Sequence, residues 1–180
     1  MDNIPEEVAR TLCDVAENEF QRCIERKNQL ENKAGVCIGA MVAILMVLLQ
    51  VNTLYVADIF SLAEKVTRYC AFMTVIVNLF YLSAIGTMIY AINKMVEVIQ
   101  VKDYWHVDLR ELCVKILKTG SDNKKTILEF IKMYEHANNL NQKQNDIKTD
   151  TYCSAIAVFK ISIALALMWF VVYKYSGLVW

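Results

Sequence analysis

Three long apolar blocks alternate with charged segments along the 180 residues of this chain. The blocks are AGVCIGAMVAILMVLLQV (34–51), YCAFMTVIVNLFYLSAIGTMIYAI (69–92) and YCSAIAVFKISIALALMWFVVY (152–173). Each has about the 20 residues that a helix needs to cross roughly 30 Å of hydrocarbon. Three runs of this length in a chain with one proline and five glycines favour spans over buried core helices. The pattern predicts an all-α membrane protein with three transmembrane helices.

The charged segments predict long cytosolic helical extensions of these spans. Between residues 6 and 33 the apolar residues Val8, Leu12 and Val15 keep a spacing of three and four among charged residues, as on one face of a helix. No helix breaker separates this segment from the first span. The predicted organisation is a cytosolic amphipathic helix (1–33), transmembrane helix 1 (34–56), an outer loop (57–68), transmembrane helix 2 (69–93), a cytosolic helical hairpin (94–151) and transmembrane helix 3 (152–175).

The predicted hairpin has a clear break near its middle. Its first arm is Val107 to Lys118, Thr119-Gly120 interrupts it, and Ser121 is placed as an N-cap of the second arm. Beyond the second arm, NNLNQKQNDIKTD (138–150) is very polar. It is interpreted as a loop or a solvated helix, and a helix that continues into the third span is favoured.

Lysine and arginine counts predict the orientation of the spans. Five precede the first span, two lie in the link between the first two spans, ten lie between residues 93 and 151, and one follows the third span. This asymmetry predicts a cytosolic N-terminus and middle segment, with the link between the first two spans and the C-terminus outside.

Motifs of catalysis and metal binding are missing from the sequence. It contains no GxSxG, P-loop, HExxH or Cys/His metal spacing, and its two histidines, His106 and His136, lie in no catalytic setting. The six cysteines form no CxxC pair, which is typical of small packing residues. The formal net charge of zero provides no overall field to recruit nucleic acid. The prediction is a protein that is not an enzyme and has no metal or other cofactor.

Lys160 stands close to the middle of the third apolar block. A lysine at the centre of a span costs about 2.5–3.5 kcal/mol on insertion scales. It either snorkels towards the cytosolic interface or faces a polar partner or a water-filled path. Asn78 in the second span, with Thr74 and Ser83, is an available polar partner. If Lys160 lines a pore, anions should be favoured, whereas Asn78 and the hydroxyl groups would select weakly.

Small residues recur at four-residue spacing in the first span, at Gly35, Gly39 and Ala43. Such a face lets two helix backbones approach closely within a bilayer. It fits an oligomer and a self-contained three-helix bundle equally well.

A second candidate site lies on the predicted cytosolic side, in KILKTGSDNKK. Lys115, Lys118, Lys124 and Lys125 surround a predicted helix N-terminus at Ser121, where backbone N–H groups bind anions. The alternative is a solvated turn near anionic lipid headgroups.

The junction RCIERKNQLENKAGVCIGAMVAILMVLL joins a charged helix, through Lys33-Ala34, to a first span rich in small residues, and a second span follows a short loop. Over residues 15–95 this resembles small multi-span membrane effectors of bacterial anti-phage defence, of the Pycsar, SLATT and Hailong channel types. The third span departs from the two-span pattern.

The resemblance implies a homo-oligomeric ion channel, with four subunits, in the bacterial inner membrane. It would be gated at its cytosolic part by a nucleotide or oligonucleotide from a partner nucleotidyltransferase. Opening would depolarise or permeabilise the membrane, giving antiviral defence by abortive infection through nucleotide signalling. The alternative function is a non-conducting membrane anchor or adaptor whose cytosolic helices bind a protein partner.

Overall fold

A computed structural model describes residues 5–62, 68–100, 104–105 and 123–176, and these described residues contain three long helices. They are α1 (Glu6–Leu62), α2 (Arg68–Ile99) and α3 (Asn123–Ser176). Each contains a stretch that is long and apolar enough to cross a membrane. The predicted all-α class, with three helices long and apolar enough to span a membrane, is confirmed.

The N-terminal extension and the first span form one uninterrupted helix, as the sequence predicts. α1 runs for 57 residues. It begins after Pro5, the only proline of the chain. Glu6 and Glu7 lie in its first turn, where their negative charges interact favourably with the positive end of the helix dipole. Glu6 also forms an ion pair with Arg10 at 2.8 Å. α1 continues to Leu62, so residues 57–62, which we assigned to the outer loop, are helical.

The last helix also runs without interruption, for 54 residues from Asn123 to Ser176. The prediction that the polar segment 138–150 continues into the third span as a helix is therefore confirmed. The predicted first hairpin arm, Val107 to Lys118, and the N-cap at Ser121 lie outside the described residues.

Two compact units divide the chain. Unit 1 takes the described residues up to Glu31 and those from Gln100 to Thr149, and unit 2 takes Asn32–Ile99 and those from Asp150 onwards. Both α1 and α3 contribute residues to each unit. The boundaries at Glu31 and Thr149 lie within about two residues of the predicted borders between cytosolic and membrane segments.

The interior of unit 2 follows a seven-residue repeat. The buried positions are Ala34, Met41 and Leu48 on α1; Val77, Tyr81, Ala84, Met88, Ala91, Met95 and Val98 on α2; and Ala155, Ser162 and Trp169 on α3. Spacing of seven, or of four and three in alternation, is the pattern of helices that pack with coiled-coil geometry. The buried residues Leu48, Val77, Tyr81 and Trp169 form one cluster.

Polar contacts between helices accompany this packing. The Ser162 hydroxyl, which is fully buried, donates to the Ala84 carbonyl at 2.8 Å. The Tyr81 hydroxyl donates to the Leu48 carbonyl at 3.3 Å, and its ring lies 5.3 Å from that of Trp169. Small residues at positions 84 and 162 suit close approach of α2 and α3 where lipid removes the hydrophobic force between helices.

Unit 1 packs α1 against α3 through few apolar residues. Phe20 and Tyr134 are in ring contact at 5.7 Å, and Ala9 and Ala137 are buried. Burial raises the pKa of the Cys23 thiol, which favours the uncharged form expected of a packing residue. The rest of its interior is polar and is described below.

Candidate functional sites

Lys160 lies on the exposed side of α3, opposite the buried seam of unit 2. Within the described part of the chain its ammonium group has no hydrogen-bond or ion-pair partner. Its helix face, here called the Lys160 face, repeats at spacings of four and three. The members, all exposed, are Cys153, Ala157, Lys160, Ala164, Leu167, Val171 and Lys174.

The other predicted pore-lining residues do not gather around Lys160 within one chain. Asn78 is half-buried and, among the described residues, bonds neither to Lys160 nor to any other side chain. Ser83 is exposed, and it lies about 140° from Asn78 around α2, since successive residues turn by about 100°. Thr74 is one turn before Asn78, but its side chain lies outside the described ones. Asn78 and Ser83 therefore face different sides of their helix.

The small-residue face of α1 is also turned away from its own chain. Gly35, Gly39 and Ala43 are exposed, whereas the neighbouring Ala34 and Met41 are buried. A Cβ atom added at Gly35 or Gly39 would meet no atom within 4 Å. The sequence left two uses open for this face, contact between copies in an oligomer and packing within a three-helix bundle. In the described residues the face does not pack within the three-helix unit.

The predicted anion site is only partly described. Lys115, Lys118 and Ser121 lie outside the described residues, and Lys124 belongs to the first turn of α3 without a described side chain. Lys125 is exposed. The site stays a prediction.

A buried polar cluster in unit 1 was not predicted from the sequence. On α3, Asn141 is 0%, Asn145 1% and Lys148 3% exposed. We expected this stretch of α3 to be solvated, and for these three positions that expectation is wrong. They are buried because they meet Tyr104 and Trp105, which belong to no helix, and Glu31 at the end of the α1 part of unit 1. The name polar cluster refers below to Glu31, Tyr104, Asn141, Asn145 and Lys148.

Asn141 binds the main chain of Trp105 at two points. The Trp105 N–H donates to the Asn141 side-chain oxygen at 3.0 Å, and the Asn141 amide donates to the Trp105 carbonyl at 3.1 Å. The side chain thus satisfies both main-chain polar groups of Trp105. The Trp105 ring meets His136 edge to face, with centroids 5.2 Å apart.

Asn145 joins three parts of unit 1. Its side-chain oxygen accepts a hydrogen bond from the Tyr104 hydroxyl, and its amide donates to the Cys23 carbonyl on α1 at 2.9 Å. One buried amide therefore connects α3, α1 and the Tyr104–Trp105 segment. Replacing it with an apolar residue would leave the buried Tyr104 hydroxyl without its acceptor.

Two lysines share one carboxylate beside the Tyr104 ring. The Lys148 ammonium donates to Glu31 Oε1, and the Lys27 ammonium lies 4.0 Å from the same oxygen. The two ammonium groups lie 4.4 Å (Lys27) and 5.8 Å (Lys148) from the Tyr104 ring centroid. Cations at these distances are attracted to the face of an aromatic ring. The positive charge of Lys148 is thus balanced by the Glu31 carboxylate and by the face of the Tyr104 ring, which explains how the side chain can be almost completely buried.

Burial raises the pKa of Tyr104 to about 12, and the neighbouring Cys23 and Glu31 act in the same direction. An unfolded tyrosine titrates near 10. Because the folded-state pKa is the higher one, the docked phenol stabilises unit 1 fully below about pH 10, and this contribution is lost as the pH rises to about 12. The titration of Tyr104 is isolated by subtracting the phenolate absorbance of the Tyr104→Phe variant from that of the wild-type protein at each pH. We expect this difference to have its midpoint near pH 12. A midpoint near 10 would show that Tyr104 is not docked in solution.

Comparison with protein-family models, with characterised proteins and with solved structures finds no match to this chain. Its class therefore rests on its own features: an all-α membrane protein with a three-helix apolar unit and a second unit that has a polar interior. No group of three or more His, Cys, Asp or Glu residues able to hold a metal occurs among the described residues.

Proposed function

We propose that this protein is a homo-oligomeric membrane pore in which the Lys160 faces of several copies surround the conducting path. The observation that carries the proposal is the exposure of Lys160 near the middle of an apolar span, without a partner among the described residues. In a single copy this side chain would have to extend through hydrocarbon towards the interface, and a lysine near the centre of a span costs about 2.5–3.5 kcal/mol on insertion scales. Around a water-filled axis the same charge stays hydrated.

The residues next to Lys160 support a second copy of the chain as the neighbour. Ala157 and Ala164, about one turn away on either side of Lys160, are small and exposed. Such residues permit close approach of another helix, whereas the outer part of the same face carries the larger residues Leu167 and Val171. The exposed Gly35 and Gly39 on α1 provide a further face on which copies can pack.

A ring of lysines favours anions in the conducting path. The proposed setting is the bacterial inner membrane with the N-terminus in the cytosol, consistent with the lysine and arginine counts. The proposed stimulus is a nucleotide-type ligand at the basic segment that includes Lys124 and Lys125, and the proposed role is anti-phage defence. Stimulus and role are supported by the resemblance of residues 15–95 alone.

Replacing Lys160 with leucine is expected to remove the anion preference of the pore, because the charge that attracts anions is lost. We would measure the reversal potential of wild-type protein in planar bilayers with a tenfold salt gradient across the membrane. The anion-to-cation permeability ratio should fall severalfold, towards unity, in Lys160→Leu.

Lys143→Leu is the control, because Lys143 is an exposed lysine of the same helix outside the apolar span and off the Lys160 face, and it should leave the ratio unchanged. An unchanged ratio in Lys160→Leu would remove Lys160 from the path. Wild-type protein that is shown to be inserted, yet is silent with every nucleotide tried, would exclude the pore and favour the anchor function.

A further inference from the structure

The Tyr104–Trp105 segment is held in unit 1 almost entirely by polar contacts. Its main chain binds Asn141, its phenol binds Asn145, and its tyrosine ring lies beside two ammonium groups. Trp105 is 53% exposed and has only the edge of His136 as a described ring contact. When the segment leaves, the apolar surface newly exposed to water is mainly the ring of Tyr104, because Trp105 is already half exposed.

The α3 residues that receive the segment tolerate its departure. Asn141 and Asn145 would exchange protein partners for water, which costs a polar side chain far less than exposure costs an apolar one. If positions 141 and 145 carried apolar residues, release would expose apolar side chains to water, and the docked state would be strongly favoured. Polar residues instead allow a hydrated, released state as a minor population beside the docked one, which is the property of an element that opens locally.

The rest of unit 1 has contacts that do not depend on the segment. Lys148 stays paired with Glu31, Arg26 with Asp146 at 3.4 Å, and Phe20 with the Tyr134 ring. The main-chain hydrogen bonds of α1 and α3 are internal to each helix. α1 and α3 can therefore remain folded when Tyr104 and Trp105 undock.

We propose that the Tyr104–Trp105 segment is a latch, which docks and releases as a unit while α1 and α3 stay folded, and which holds the pore closed when docked. The latch follows the end of α2 at Ile99 by five residues along the chain, so docking fixes one end of the short stretch that leads out of the second span, and release removes this restraint. The control of opening, though not the release itself, rests on the pore function proposed above.

Release is tested by amide hydrogen exchange at single-residue resolution on the full-length protein in lipid nanodiscs. The Trp105 N–H has the Asn141 side chain as its acceptor, whereas the N–H of Asn145 lies inside α3. We expect Trp105 to exchange at least about tenfold faster than Asn145, because the latch opens without unfolding of the helix. Equal rates would overturn the proposal, since the segment would then open only when unit 1 unfolds.

The variant Asn141→Ala should accelerate exchange at Trp105 further and leave Asn145 unchanged. Asn139→Ala is the matched control, because Asn139 is exposed on the same helix and should change neither rate. Tyr104→Phe is a milder second variant, which removes only the hydroxyl that donates to Asn145, and it should show a smaller acceleration. No acceleration in either variant would overturn the latch.

Control of the pore is tested by anion flux from liposomes that contain the same proteins. We expect Asn141→Ala to raise the flux severalfold over wild type and Asn139→Ala to match wild type. Faster exchange at Trp105 with unchanged flux, in a protein that conducts, would overturn the control of opening while the pore stands. Absence of flux from every inserted variant would reject the pore and with it the regulatory role, whereas the exchange rates would still decide whether the latch releases.

Discussion

Replacing Glu31 with alanine is expected to destabilise unit 1 by about 3 kcal/mol, because it leaves the ammonium group of Lys148 buried without its carboxylate. Lys148 is only 3% exposed and has no other carboxylate partner among the described residues. The Tyr104 ring, 5.8 Å from this ammonium, compensates only a small part of the loss.

The measurement is pulsed thiol labelling of Cys13 and Cys23 in increasing urea on the full chain in detergent, since both thiols are half-buried in unit 1. Glu25→Ala on the exposed side of α1 is the control and should change stability by less than about 0.5 kcal/mol. The double variant Glu31→Leu, Lys148→Met should recover most of the loss, because no charge then remains buried. A Glu31→Ala midpoint equal to that of Glu25→Ala would show that the buried pair is not formed.

Trp169→Ala is expected to have the largest effect on unit 2, about 2–3 kcal/mol. Trp169 is 2% exposed, lies in ring contact with Tyr81, and stacks on Tyr173 at 5.6 Å. Truncation of a buried tryptophan in a water-soluble core costs about 3–5 kcal/mol. We expect the lower figure here because lipid is itself apolar, so that lost packing and a cavity, rather than transfer to water, make up the cost.

The adjacent Phe170, which is 52% exposed, is the control for Trp169. Phe170→Ala removes an aromatic ring of similar size at the same depth and should leave stability nearly unchanged. The SDS concentration at which the half-buried Cys37 becomes reactive to a thiol reagent measures the stability of unit 2. Equal shifts for the two variants would mean that α3 is rotated relative to the described packing.

The spans could be predicted from sequence because their signal is local: length and composition alone mark them. The faces of the spans could not be predicted, because the core and the lipid are both apolar. Ala34 and Gly35 are neighbours of similar size, yet one is buried and the other exposed. The available signal was a spacing in multiples of seven through Phe20, Ala34, Met41 and Leu48, which the three-and-four pattern of residues 6–33 did not include.

The polar cluster was missed for a different reason. Asn141 and Asn145 lie in a segment whose composition is typical of a solvated helix, and their partners are distant in sequence, 36 residues away in the case of Trp105 and 122 in the case of Cys23. Nothing local distinguishes them from the exposed Asn139. Lys160 was recognised because a charge within an apolar block is a local anomaly; its place at a pore axis stays a prediction.

The seven-residue spacing of buried positions on α1 and α3 also restricts how this protein can be recombined. On α3 the buried Asn141 and Lys148 belong to unit 1, and Ala155, Ser162 and Trp169 continue the same count in unit 2. One residue inserted at the unit boundary would turn every later side chain by about 100° around the helix axis. A chimera that exchanges one unit for that of another protein must therefore keep the number of residues between buried positions at a multiple of seven across both junctions. Otherwise the buried positions on the two sides of a junction would lie on different faces of the helix.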